Sequence, residues 1–323
     1  MKSRNTGVEL YRLLLTFGIC YLHAITTCGH RASEFSGRLS YLLYSCVVGF
    51  VFITGWFGIK FDILKLLRLW GVAAYATFVG ATVDFAVNGF SGILRYYDVL
   101  IGNWFLNGYT VLMLAAPAVN FLVEAATGEP GHGRESARSA LVLILVLVFG
   151  WAFLRAVPFL SRYVPCSAGV EDYSGLSLLG IYTAARLVRG IDLERRLSVR
   201  RRFVLAFVCV IAILCHLSSY ASPFAFCLAM VGFFVFKSVR MWSCIQRAAI
   251  VLAPSTFAVF MLHANSIGFG LMSRLEDFLM DCGLGLDLTF PAAAVVTFCS
   301  ALLLDLPRRC VVAGLARFGI IRT

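Results

Sequence analysis

Three ionisable residues, Glu9, Arg12 and His23, stand inside one apolar run near the start of the chain. Their types suit proton transfer beside an anionic ligand. An imidazole titrates near neutrality and takes a proton from an attacking hydroxyl. A guanidinium grips phosphate through charge-assisted bonds. A carboxylate three residues before it orients that cation or balances its charge. At 100° per residue, Arg12 and His23 return to within about 20° of the same helical face, about 16 Å apart along the axis. Glu9 lies on the same side. Taken singly, each has an ordinary explanation: Arg12 pairs with Glu9 and snorkels to one interface, and His23 packs among headgroups at the other. Three on one face point to a polar cavity inside a membrane.

Further candidates are scattered. His263 is a second imidazole within a span, suited to positioning an acceptor or partnering the acyl carbonyl, with interfacial packing as the plainer reading. Asp84 and Trp104 fit weaker acceptor contacts, with interfacial belt roles as the plainer reading. Tyr220 reads in the same way. His30 and His216 fall at span ends and His132 in a loop, where structural or solvated roles are expected. Gly283-Leu284-Gly285 lacks a third glycine and follows no strand, so no dinucleotide loop is read there.

The elements that must position these groups follow from composition. Of the 323 residues, 60% are hydrophobic and 14% charged, with mean hydropathy +0.86. Soluble domains carry about 25% charged residues, so the chain reads as an all-α polytopic membrane protein. At about 20 residues per span plus short connections, it accommodates about ten transmembrane helices. The apolar runs place them at 7–25, 40–59, 69–87, 104–124, 139–157, 172–188, 203–217, 222–238, 249–272 and 289–307. None alternates in the manner of a barrel strand.

The formal charge of +11 is explained by topology. With both termini cytoplasmic, the block Arg186, Arg189, Arg195, Arg196, Arg200, Arg201 and Arg202 lies inside, with Lys2, Arg4, Lys60, Lys65, Arg68, Arg134, Arg138, Lys237, Arg240, Arg247, Arg308, Arg309, Arg317 and Arg322. Only Arg31, Arg38, Arg95, Arg155, Arg162 and Arg274 fall outside. The block has the charge to bind anionic lipid or a nucleotide-bearing ligand, but it is expected to be a solvated anchor, and nucleic-acid binding is not supported. Glu9 and Arg12 interrupt what would be a signal-peptide core, so the first run reads as a true span. No repeat of fixed period is visible, and the stretch 128–133 is the expected flexible segment. The 11 cysteines show no CxxC spacing. They are read mostly as small buried apolar residues, with no metal site expected.

The run Asn5-Thr6-Gly7-Val8-Glu9-Leu10-Tyr11-Arg12, ten residues, then His23 resembles the opening of the membrane-bound acyltransferase-3 family. Val48 to Phe57, with Thr54 where the family has serine, is similar to its second helix. Lys65-Leu66-Leu67-Arg68 stands where two arginines are usual. Trp104-Phe105-Leu106 with Ala116-Pro117-Ala118-Val119-Asn120 resembles the fourth helix, and Tyr220-Ala221-Ser222-Pro223 the entry to a later one. Thr256 to His263, with Phe260 in place of tyrosine, resembles the ninth.

The resemblance implies a single acyltransferase domain over 1–323 in a bacterial-type cytoplasmic membrane, with no appended soluble domain. It implies transfer of an acyl group, most often acetyl, from acyl-CoA to a hydroxyl of a cell-surface or lipid-linked glycan. His23 would be the general base, with an acyl-histidine as the variant route. Arg12, Lys65 and Arg68 would grip acetyl-CoA, and His263, Asp84 and Trp104 would face the acceptor. Partners are then acyl-CoA, the glycan and membrane lipids, without nucleic acid or metal. The competing class is a transporter or flippase for a glycan or another small polar substrate, because polar groups on one helix face also line permeation paths. A non-catalytic scaffold leaves Glu9, Arg12 and His23 without a reason to share that face.

Overall fold

A computed structural model describes residues 5–27, 33–89, 99–100, 102–127, 175–214 and 223–318. The expected span 139–157, the stretch 128–133, His30, His132, His216 and Tyr220 lie outside these. So do the basic positions Lys2, Arg4, Arg31, Arg95, Arg134, Arg138, Arg155, Arg162 and Arg322.

Among the described residues every regular element is helical. In chain order these are α1 (Thr6–Thr27), α2 (Glu34–Phe57), α3 (Ile63–Asn88), α4 (Trp104–Thr127), α5 (Gly175–Gly190) and α6 (Leu193–Arg196). They continue with α7 (Val199–Leu214), α8 (Pro223–Ser238), α9 (Ser243–Leu252), α10 (Thr256–His263), α11 (Ser266–Asp281) and α12 (Leu286–Arg317). Among the described residues six helical segments are long and apolar enough to cross a membrane: α1, α2, α3, most of α4, the run Ser243–His263, and α12. Large apolar side chains such as Phe78, Phe121, Phe207 and Leu303 are exposed, a liability in water and the ordinary condition in lipid.

The helices group into two compact units, and the division falls within α2 and α3. The first unit comprises residues 1–43, 69–100 and 239–323. Within it α1 is the central helix, packed along α12 and against α9, α10 and α11. Asn5 starts α1 by accepting from the amides of Gly7 and Val8 at 3.0 and 3.2 Å, which satisfies two of the donors a helix start leaves open. Ala24, Ala293 and Ala294 are fully buried at the α1–α12 seam, with Met272 and Phe290 beside them. Lipid tails are as apolar as leucine, so close approach over small residues is what holds such helices together.

The second unit comprises residues 44–68 and 101–238. Here α4 packs on α5 and α7 on α8. Fully buried Tyr182 ties three segments together. Its hydroxyl donates to Asn120 Oδ1 at 2.7 Å and accepts from the Ile59 amide at 2.9 Å, while Asn120 Nδ2 donates to the Ile59 carbonyl at 2.8 Å. Gly58, at φ +76°, ends α2 in the left-handed region and returns its amide to the Thr54 carbonyl at 2.9 Å.

Two sequence expectations are corrected. The run 249–272 is not one helix: it is α9, a 3-10 turn over Ala253–Ser255, α10, a break at Ala264 and Asn265, and the start of α11. The reason is the Asn265 side chain, described below. Among the described residues the cysteines are not mostly buried. Of those described, Cys20 and Cys209 are buried, but Cys244, Cys282, Cys299 and Cys310 are exposed. Cys299 lies within the apolar length of α12, where an outward small apolar side chain meets hydrocarbon without cost.

Candidate functional site

The site begins with α1 and its neighbours in the first unit. His23 sits on α1, and His263 is the last residue of α10. Helix packing brings their rings to 5.1 Å between centroids, tilted by 51°. Phe269 of α11 stands edge-on to His23 at 5.0 Å, and Phe260 lies 6.4 Å away. Two imidazoles and two phenyl rings from three helices thus meet in one cluster.

The polar atoms there are unusually placed. His263 Nδ1 lies 2.6 Å from the Val259 carbonyl oxygen. A carbonyl only accepts, so Nδ1 carries the proton and Nε2 keeps its lone pair. That Nε2 is buried and has no hydrogen-bond partner among the described residues, and the same holds for His23 Nδ1. Buried polar atoms are nearly always paired, so two orphaned imidazole nitrogens in adjacent rings mark a point that a water, an ion or a ligand group would satisfy. Cys20, fully buried one turn below His23, contacts His263 Nδ1 at 3.7 Å.

Asn265 fixes His263 at a helix end. Its backbone is extended (φ −153°, ψ 171°), and its Oδ1 accepts from the amides of Ile267 and Gly268 at 3.0 and 2.9 Å. Its Nδ2 donates to the Met261 carbonyl at 2.8 Å. One side chain therefore terminates α10 and starts α11. Asn265→Ala removes an N-cap and is expected to cost about 1–2 kcal/mol. Asn265→Asp, which keeps the acceptor oxygen, costs less. Thermal unfolding of the purified protein in detergent followed by Trp fluorescence checks the order, and equal midpoints for the two variants would exclude this capping role.

The other expected residues divide between the units. Glu9 is buried and accepts from Arg12 Nη1 at 3.4 Å, a long pair within α1. These two lie on the helix of His23 but three turns away, so the expected common face holds two polar groups rather than one cluster. Asp84 is in the same unit, buried at the end of α3, where Asn88 Nδ2 donates to it at 2.7 Å. Arg274 of α11 donates to Asn88 Oδ1 at 2.7 Å. With Ile267, Gly270 and Leu271 these residues line a cavity of about 230 Å³. Lys65, Arg68 and Trp104 belong to the second unit. Lys65 and Arg68 are exposed near the start of α3, and Trp104 packs edge-on against Phe105 at 5.6 Å.

Residues the sequence reading did not single out are Cys20, Asn265, Gly268 and Arg274. Asn265 carried a signal in its type, an N-cap residue just after His263, but the surrounding apolar run hid it. Among the described residues no group of three His, Cys, Asp or Glu is arranged to hold a metal.

Among the described residues the chain is all-helical, with six helical segments long and apolar enough to cross a membrane. Comparison with known proteins adds no further assignment: no family model matches the sequence, and no curated protein or solved structure matches the chain.

Proposed function

We propose that this protein is an integral membrane O-acyltransferase that moves an acyl group, acetyl in the simplest case, from acyl-CoA to a glycan hydroxyl. The observation that supports this most is the His23–His263 pair, with one unpartnered buried nitrogen on each ring. In this reading the acceptor oxygen attacks the thioester carbonyl, the C–S bond breaks, and the hydroxyl proton passes to His23 and on to the departing thiolate. His263, its tautomer set by Val259, offers the Nε2 lone pair that positions the hydroxyl. Arg12, held by Glu9, takes a phosphate of the donor. The Asp84 cavity, with a carboxylate, an amide and a guanidinium, supplies the donors and acceptors a sugar ring requires. A cytoplasmic-membrane location with both termini inside agrees with the basic-residue distribution.

The transporter reading has one observation in its favour: the α10–α11 break at Asn265 resembles the discontinuous helices that bind substrate in transporters. Such folds carry the breaks in pairs, and the imidazole pair has no assigned work there.

The test is incubation of the purified protein with acetyl-labelled acetyl-CoA and a panel of glycans and lipid-linked saccharides. Label transfer coupled to release of free CoA is expected. No CoA-dependent transfer to any acceptor by folded protein, with glycan uptake into proteoliposomes instead, would establish the transporter reading.

A further inference from the structure

The basic block between α5 and α7 is more than a solvated lining. Within the second unit, Arg189, Arg195, Arg202 and Lys237 surround a cavity of about 700 Å³ together with only two carboxylates, Asp192 and Glu194. Four cations against two anions leave the cavity positive. Its size falls within the range of small-ligand sites. Trp56 and Phe57 form the apolar part of the wall, and a low-dielectric wall strengthens the field inside a cleft.

The cations are held in place. Arg189 donates to the Trp56 carbonyl at 2.6 Å. Arg202 donates from Nε to the Leu197 carbonyl at 3.0 Å and from Nη2 to the Glu194 carbonyl at 2.7 Å. A guanidinium has five N–H donors, so these contacts fix the fork and leave others for a ligand. Arg202 also stacks over Phe234 at 5.4 Å. Lys237 pairs with the Glu194 carboxylate and sits 4.9 Å from the centre of the Trp56 ring. Arg195, 85% exposed, stands at the rim in a loose 3.4 Å contact with Asp192. A lining that only sets topology needs charge in number and leaves side chains splayed. Pinned guanidiniums around a concave, positive space are what recognition of phosphate uses.

We propose that this cavity binds a phosphate-bearing anion, carried either by a lipid headgroup or by a soluble phosphate compound. Neither Lys65 nor Arg68 lines this cavity, and the proposal does not rest on the acyl-transfer reading.

The experiment uses the full chain in phosphatidylcholine nanodiscs. Inorganic pyrophosphate is titrated calorimetrically, and retention of added phosphatidic acid is measured by native mass spectrometry. Binding of at least one probe is expected. Arg195→Gln and Arg189→Gln should each weaken it about tenfold or more, and Asp192→Asn should tighten it by removing a competing anion. Pyrophosphate binding assigns the site to a soluble phosphate, and retention of phosphatidic acid alone assigns it to a headgroup. Arg195 and Asp192 are exposed at the rim, so their variants remain informative if Arg189→Gln does not fold. Binding of neither probe, or binding indifferent to both Arg195→Gln and Asp192→Asn, would overturn the proposal.

Discussion

His23→Ala and His263→Ala are each expected to lower kcat for acetyl transfer by about 10²–10⁴, the usual worth of a positioned acid–base group. That corresponds to about 3–5 kcal/mol of transition-state stabilisation. The two substitutions should not add. Residues that act as a unit lose most of their effect with the first removal, so the double variant should be little slower than the worse single one. KM for acetyl-CoA should stay near wild type in all three, because the donor grip is assigned to Arg12 and not to either imidazole. The measurement is free CoA release under saturating acceptor, with monodispersity in detergent as the fold check. If His23→Ala retained the wild-type kcat, His23 would lose the base role even with acyl transfer intact. If the two effects multiplied, the rings would be acting independently despite their 5.1 Å separation.

The second large effect is on the backbone behind His263. A Cβ at Gly268 would lie 2.4 Å from the His263 carbonyl oxygen and 2.7 Å from its carbonyl carbon and Cα. These atoms belong to the chain turning at Asn265, so they cannot swing aside as a flexible side-chain tip would. Overpacking of this kind costs about 1–3 kcal/mol or more. Gly268→Ala is therefore expected to lower the thermal midpoint and, because the same backbone carries the His263 ring, to reduce transfer with it. Gly270 is the matched control on the same helix, with no atom within 4 Å of an added Cβ. Gly270→Ala should leave stability unchanged or raise it by up to about 1 kcal/mol, through helix propensity alone. Thermal scans of the two variants side by side decide the matter. Equal midpoints would show that the His263 turn relaxes freely around an added methyl group.

Much of the molecule was legible from residue order because the bilayer imposes strong one-dimensional constraints. A span must be a long apolar helix or a closed barrel, so α1, α2, α3, α4 and α12 follow from hydropathy, within a few residues at most ends. Helical periodicity likewise placed Glu9 beside Arg12 on α1, where the structure pairs them. Apolar windows could not reveal the break at Asn265, since one amide side chain that satisfies three backbone groups does not lower the average of its neighbours.

What the sequence by itself determined is the helical membrane class, the approximate ends of most helices, and the polar residues that had to be explained. Only the tertiary structure decided that His23 meets His263, 240 positions away, that Asp84 joins a cavity with Arg274, and that part of the basic block closes around a space beside Trp56. The reason is physical. Spacing along one helix fixes which of its own residues share a face, but the partner that face meets is chosen by packing of small residues such as Ala24, Ala293 and Ala294. In an environment where lipid and protein interior are equally apolar, hydropathy does not mark that choice.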